Sequence, residues 1–364
     1  MKKLFSIVLT LAAVLFVAAS CNDIKGGDAV EMAGEGSLSI TITQDGPATK
    51  AGPSVTALAY EQKLNRLDYF LFEGGTTLYN KKSVSSGISG TSHTETFNRL
   101  PVGNYTVIVV ANAPAAVSSA TSLADLKAAA VTLANCSRTE SEGFIMYAEK
   151  TGVAVSGGQT TDLSGNSAMS LERFPARVRL VSVENKIPTV AAYANSNAIS
   201  VKGVFLTNVY STWRLDGTGN PSAVTNAKGR KGSNKIAAAS QLDYGQTGWF
   251  PSSATTVANS GTTVATLNWD TYGFPTTAAI DGSPLRLVIL ATVNGTDYYY
   301  PVKLIDASAS PARAGIERNK TYEVSVAIYG TGSDDPDVDV VRGNISASVT
   351  VKAWVAGASY SEEI

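Results

Sequence analysis

Two-residue alternation near both ends of the chain constrains its fold more than any other feature. In 37-SLSITIT-43, Leu38, Ile40 and Ile42 fall on one face and Ser37, Ser39, Thr41 and Thr43 on the other. Successive side chains of extended backbone point to opposite sides, so this pattern reads as a half-buried β-strand. The segment 345-ISASVTVKAWV-355 repeats the period at greater length, with Ile345, Ala347, Val349, Val351, Ala353 and Val355 on one side and Ser346, Ser348, Thr350, Lys352 and Trp354 on the other. Each strand must find neighbours for its backbone N–H and C=O groups and a core for its apolar face.

Between them, short apolar runs are punctuated by Gly, Asn, Pro and Ser, which predicts an all-β chain with minor helical decoration. Strands are expected at 67-LDYFLF-72, within 100-LPVGNYTVIVVANAP-114, after Pro175 with Val178, Leu180 and Ser182 on one face, and near 199–210, 285–293, 298–305, 321–329 and 345–355. One helix is expected in 122-SLADLKAAAVTLANC-136, with Ser122 as cap and Asp125 near the positive end of its dipole. Residues 214–283 read as long loops anchored by Trp249, Phe250, Trp269 and Tyr272. At 364 residues and 44% hydrophobic side chains, two domains are expected, 51–170 and 171–364. Tyr105-Thr-Val107-Ile-Val109 and Tyr322-Glu-Val324-Ser-Val326 each follow a turn, an echo consistent with two similar β-sandwiches.

The N-terminus predicts export. Lys2 and Lys3 precede an apolar run from Leu4 to Val17, and small residues 18-AAS-20 lead into Cys21. This is the pattern of a bacterial lipoprotein signal over 1–20 with Cys21 acylated after cleavage; an ordinary secretory signal is the alternative. Residues 21–50 then form a pro-segment that carries the 37–43 strand. Lys50-Ala51 stands in a small-residue linker with Pro47, Gly52 and Pro53, as an accessible protease site would.

With the Cys21 signal, the early strand and the Lys50-Ala51 site come 100-LPVGNYTVIVVAN-112, 171-LERFPARVRLV-181, 315-GIERNKTYEVSVAIYG-330 and 350-TVKAW-354. In this order the chain resembles the fimbrillin family, the subunits of Bacteroidetes type V pili. The resemblance implies two transthyretin-like β-sandwich domains, a lipidated precursor in the outer membrane, surface proteolysis after a basic residue and polymerisation by strand exchange. Better known members are cut after Arg, whereas this chain has Lys50. On this reading Leu38, Ile40 and Ile42 form a displaced strand, and 345–357 is the donor that replaces it in another molecule. The expected partners are further copies or related pilins, a protease with basic-residue specificity, and outer-membrane lipid through Cys21. Loss of the first 50 residues leaves 25 basic and 25 acidic side chains, so net repulsion between stacked subunits is small.

Other function classes find less support. The formal charge of −1 and the lack of a basic cluster among aromatics argue against nucleic acid. His93, the one histidine, reads as a solvated loop side chain, and Cys136 has no nearby histidine signature, so no catalytic residue is assigned and the chain is not expected to be an enzyme. No cofactor or metal is expected. The acidic run 333-SDDPDVDVV-341 lacks the Gly and distal Glu of an EF-hand loop and reads as a solvated hinge that lets the last strand project, while 228-KGRKGSNK-235 reads as a basic surface loop. Two rivals to a shaft subunit are a tip or adhesin subunit and a glycan-binding surface lipoprotein that stacks sugars on Trp249, Trp269, Tyr272 or Tyr298 to Tyr300.

Overall fold

The computed structural model describes residues 34–44, 54–88, 90–133, 143–187, 198–217, 248–258, 264–277, 282–307, 309–341 and 343–355. Cys21, Lys50, Ala51, Cys136 and the 228–235 loop lie outside the described residues, as do the side chains of Trp354 and Val355. The strands in the first half are β1 (Glu35–Thr43), β2 (Ser54–Thr56), β3 (Leu67–Glu73), β4 (Thr77–Val84), β5 (Ser92–Pro101), β6 (Gly103–Ala111), β7 (Ala130–Thr132), β8 (Met146–Val155), β9 (Thr160–Leu163), β10 (Met169–Ser170) and β11 (Glu172–Arg173). Then come β12 (Ala176–Asn185), β13 (Ile199–Thr207), β14 (Thr212–Arg214), β15 (Gly248–Trp249), β16 (Thr255–Val257), β17 (Val264–Gly273), β18 (Arg286–Val293), β19 (Thr296–Lys303), β20 (Ile305–Asp306), β21 (Arg313–Ala314), β22 (Lys320–Ile328) and β23 (Ile345–Val355).

Four sheets carry the architecture. The first holds β10, β1 and β5, with β9 also on β1; the second runs β11-β8-β6-β3-β4. They meet through side chains of alternate parity: Tyr69 of β3 and Phe97 of β5 lie edge to face, 6.0 Å between ring centroids. The other face of β3 is also covered, since Phe70 and Phe72 stack at 6.4 Å and Ser118 of α1 (Ala115–Ser118) donates to Asp68 at 3.4 Å. That double burial explains why β3 and β6 read as near-continuous apolar runs.

The third sheet runs β17-β12-β22-β23-β2, and the fourth runs β15-β13-β18-β19 with β16 on β13. Asn185 of β12 donates to the Val257 carbonyl of β16 at 3.0 Å, which joins these two sheets. The β18–β19 hairpin turns at Asn294-Gly295, both at positive φ (49° and 76°), the residue pair that matches a tight turn to the strands' own twist. Apart from β2, which crosses to the third sheet, and the small pairs β7–β14 and β20–β21, strands up to Arg173 fall in the first two sheets and those from Ala176 onward in the last two.

Several expectations change. The helix is only Leu123–Ala128, α2, capped as expected where Asp125 N–H donates to Ser122 Oγ at 3.0 Å. It stops because Val131, β-branched and fully buried, joins β7 instead. The 214–283 loop reading misses β17, a ten-residue strand. Ser182 does not share the face of Val178 and Leu180: a register shift between Leu180 and Ser182 brings Val183 inward. His93 is on β5 rather than in a loop, 6.5 Å from the Tyr69 ring.

Candidate functional site

β1 is an interior strand. On one side it pairs antiparallel with β5, from Glu35 opposite Pro101 to Thr43 opposite Ser92. On the other it runs parallel to β9 (Ser37 to Ile40 against Thr160 to Leu163) and then to β10 (Ile42 and Thr43 against Met169 and Ser170). Leu38, Ile40 and Ile42 each have 0% exposure. Fully burying three such side chains is worth roughly 5–9 kcal/mol gross, an upper bound because the unfolded chain already hides part of that surface. Taking β1 away therefore leaves an apolar slot bounded by two unpaired strand edges.

The slot is closed at both ends. At its start a Cβ on Gly36 would stand 2.3 Å from the Ser156 carbonyl oxygen and 2.7 Å from Val155 Cγ1, so only glycine fits. Gly36 shares the parity of Leu38, Ile40 and Ile42, and that parity was the available signal for its inward position. At the far end Gln44, 2% exposed, donates to the Gln62 carbonyl at 2.5 Å and accepts from Arg173 at 3.4 Å.

Arg173 leads into a buried polar network that composition alone does not reveal. Its Nε donates to the Glu61 carbonyl at 3.0 Å. The Glu61 carboxylate accepts from Arg177 at 2.8 Å and from the Tyr272 hydroxyl at 2.6 Å, while Arg179 grips Asp270 with two bonds of 2.7 and 3.0 Å. Glu61, Arg173 and Arg177 are all fully buried, which is tolerable because each charge has partners. Burial, reinforced by the Glu61 carboxylate, pushes the Tyr272 hydroxyl well above its ordinary value. The network ties the slot's far end to β12 and β17.

The C-terminal strand is held differently. β23 pairs antiparallel with β22 from Ile345 opposite Ile328 to Ala353 opposite Lys320. Among the described residues its other edge is paired only at Ala353 to Val355, with β2. Ile345, Val349, Val351 and Ala353 are half-buried and Ala347 is exposed, in contrast with the complete burial of the apolar face of β1. The strand does not project: the acidic run before it is pinned at Asp337 and Asp339, while Asp334 stays exposed. Arg286 donates to Asp337 at 2.6 Å and to Asp339 at 3.1 Å, and Asn208 and Ser283 also donate to Asp337. The charges that suggested a free hinge instead find buried cationic and amide partners, because β18 places Arg286 beneath them.

Most of the aromatic residues considered as sugar platforms stand in the core. Trp269, Tyr272, Tyr299 and Tyr300 are at most 8% exposed, and Trp249 and Tyr298 are half-buried against the same cluster.

Comparison with known proteins adds the lineage. Residues 31–356 match the family of fimbrillin-A associated anchor proteins Mfa1 and Mfa2. No protein of curated function matches. Among solved structures, a protein from Parabacteroides distasonis ATCC 8503 assigned to cell adhesion has 18% identity and TM-score 0.62, covering 90% of this chain and 99% of its own. A fimbrilin from Porphyromonas gingivalis W83 has 17% identity and TM-score 0.58, with coverage of 89% and 98%. The tip fimbrial protein Mfa3 of Porphyromonas gingivalis has 15% identity and TM-score 0.50, with coverage of 88% and 100%. At such identities the solved structures speak for a shared fold, and the family match, which spans most of the sequence, shows that this chain belongs to the Mfa1 and Mfa2 family of fimbrillin-A associated proteins.

Proposed function

We propose that this fimbrial protein is a shaft subunit, exported as a precursor lipidated at Cys21, cut after Lys50, and joined to its neighbours by β-strand exchange. The observation that carries the reading is the interior position of β1 with its apolar face fully buried, joined to β2 only through residues 45–53. While that linker is intact, β1 competes for the slot at high local concentration, and a strand from another molecule is at a disadvantage. Cleavage removes the advantage. The donor is β23, whose apolar series is half-exposed on its own sheet and gains burial in the slot. On this reading the strands group into two β-sandwich domains that meet near residues 170–175, and the partners are further copies or related pilins, a lysine-accepting protease, and outer-membrane lipid.

Brief digestion with a lysine-specific protease, followed by N-terminal sequencing and electron microscopy, tests the proposal. A new terminus at Ala51 together with filaments is expected, and Lys50→Ala should yield neither. Filaments whose subunits retain residues 37–43 would overturn it. A second reading has its own support in the matched family's description, which names anchor proteins: a precursor that keeps β1 and holds the base of a fibre through lipidated Cys21. Intact precursor at fibre bases, with no Ala51 terminus along the shaft, would favour that reading.

A further inference from the structure

From Gly36 the slot strand reads Gly-Ser-Leu-Ser-Ile-Thr-Ile-Thr to Thr43, and from Gly343 the tail reads Gly-Asn-Ile-Ser-Ala-Ser-Val-Thr to Thr350. We propose that in the assembled joint residues 343–350 of one copy take the places of residues 36–43 in the next, in the same direction. Gly343 then stands at the Gly36 station, Ile345 at Leu38, Ala347 at Ile40 and Val349 at Ile42. This rests on the strand-exchange reading and adds the register and direction of the donor.

The Gly36 station sets the register. The atoms that would meet a Cβ there include the carbonyl oxygens of Ser156 and Gln159, at 2.3 and 3.2 Å, and backbone cannot rotate aside as a side chain can. Sliding the tail by two residues puts Ile345 or Val341 at that station, and sliding it by four puts Ala347 there. Each drives a Cβ into the Ser156 carbonyl. The next glycine downstream, Gly357, would avoid the clash, but it would place Ser361 and Glu363 at the buried stations of Ile40 and Ile42, where unpartnered polar groups are costly. A slip by one residue turns the apolar face outward.

The outer face agrees. Ser37 donates to Asn98 at 3.1 Å and the Thr41 and Thr94 hydroxyls lie 2.9 Å apart. Asn344 and Ser348 bring hydrogen-bonding side chains to the same two stations. One station is under-filled, because Ala347 replaces the larger Ile40. Since Ala347 is exposed in the free subunit, enlarging it should strengthen the joint while leaving the subunit intact.

Gly343 itself sits at φ +97°, so substituting it would disturb the turn into β23 as well as the joint. Cysteine pairs avoid that ambiguity, since directly opposed strand residues lie within disulfide reach. In a Cys21→Ser, Cys136→Ser background, processed subunits carrying Ser348→Cys are mixed with processed subunits carrying Ser92→Cys, Thr94→Cys, Thr96→Cys or Asn98→Cys, assembled and oxidised. The precursor with Thr41→Cys and Thr94→Cys, which should close an internal disulfide, is the positive control. Cross-linking to position 94 in preference to the other three is expected, as is slower dissociation of Ala347→Ile filaments. Cross-linking mainly to position 92, 96 or 98 overturns the register and leaves strand exchange standing. No cross-link at any of the four in filaments, with the control closed, overturns both.

Discussion

Ile40→Ala, placed in the middle of β1, separates a strand that merely completes the fold from one that blocks assembly. Ile40 lies opposite Glu95 of β5 and Leu163 of β9 with 0% exposure, so truncation removes buried methyl groups and leaves a cavity that two paired neighbours cannot collapse. Such substitutions cost ~2–5 kcal/mol. If about 3 kcal/mol of that falls on the seating of β1, the fraction of precursor with an open slot rises by about two orders of magnitude. Two measurements follow. Hydrogen exchange should accelerate at the β5 amides that face β1, and uncut precursor should begin to form filaments slowly without protease. Processed protein, which has lost residue 40, should match the parent in both assays. Precursor that keeps parental exchange rates and stays monomeric, despite a measured loss of global stability, would refute the link between the seating of β1 and assembly.

Gly36→Ala should destabilise the precursor by ~1–3 kcal/mol through overpacking against Ser156 and Val155, read as a lower denaturant midpoint, and should leave processed protein unchanged. Glu61→Gln, which removes the carboxylate paired with buried Arg177 and leaves it Asp270 at 4.0 Å, should cost about 3 kcal/mol in precursor and processed subunit alike. Deleting residues 343–364 should give a subunit that accepts a strand but donates none; added to intact processed protein it should shorten filaments in proportion to its share, as electron microscopy can count. Burial pushes the hydroxyls of Tyr69, Tyr147, Tyr272 and Tyr322 above the ordinary 10.0, and that of Tyr105 up to about 12. The folded state keeps these protons where the unfolded chain releases them, so their contribution is complete below pH 10 and falls as pH rises beyond it. Denaturation midpoints should therefore hold steady up to about pH 10 and drop as the pH rises from there toward 12.

Period-two patterning was legible wherever one face is buried and the other wet, and so β1 and β23 stand where the alternation puts them. The apolar content of Tyr69 to Phe72 and of Val107 to Val110 announced strands but not the covering of both their faces. β17 escaped notice because its first half alternates weakly and its buried half carries two polar residues, Thr271 and Asp270, the latter held there by Arg179. The acidic run before β23 misled for the same reason: local charge suggests solvent unless a distant arginine is known to lie beneath it. Gly36 was readable by parity, but its need for glycine arises from the Ser156 carbonyl, more than a hundred residues away in sequence. Arg173, Arg177 and Glu61 gave no signal, since long-range buried ion pairs leave no period.

An inner strand, unlike a marginal one, cannot be withdrawn without leaving a gap that its former flanks are unable to mend. β5 and β9 stand two strand spacings apart across β1, roughly 9–10 Å, and closing that distance would tear each from the packing behind it. On the strand-exchange proposal, one hydrolysed peptide bond is what opens that gap, and burial of an incoming strand in it supplies the drive for growth with no call for a nucleotide.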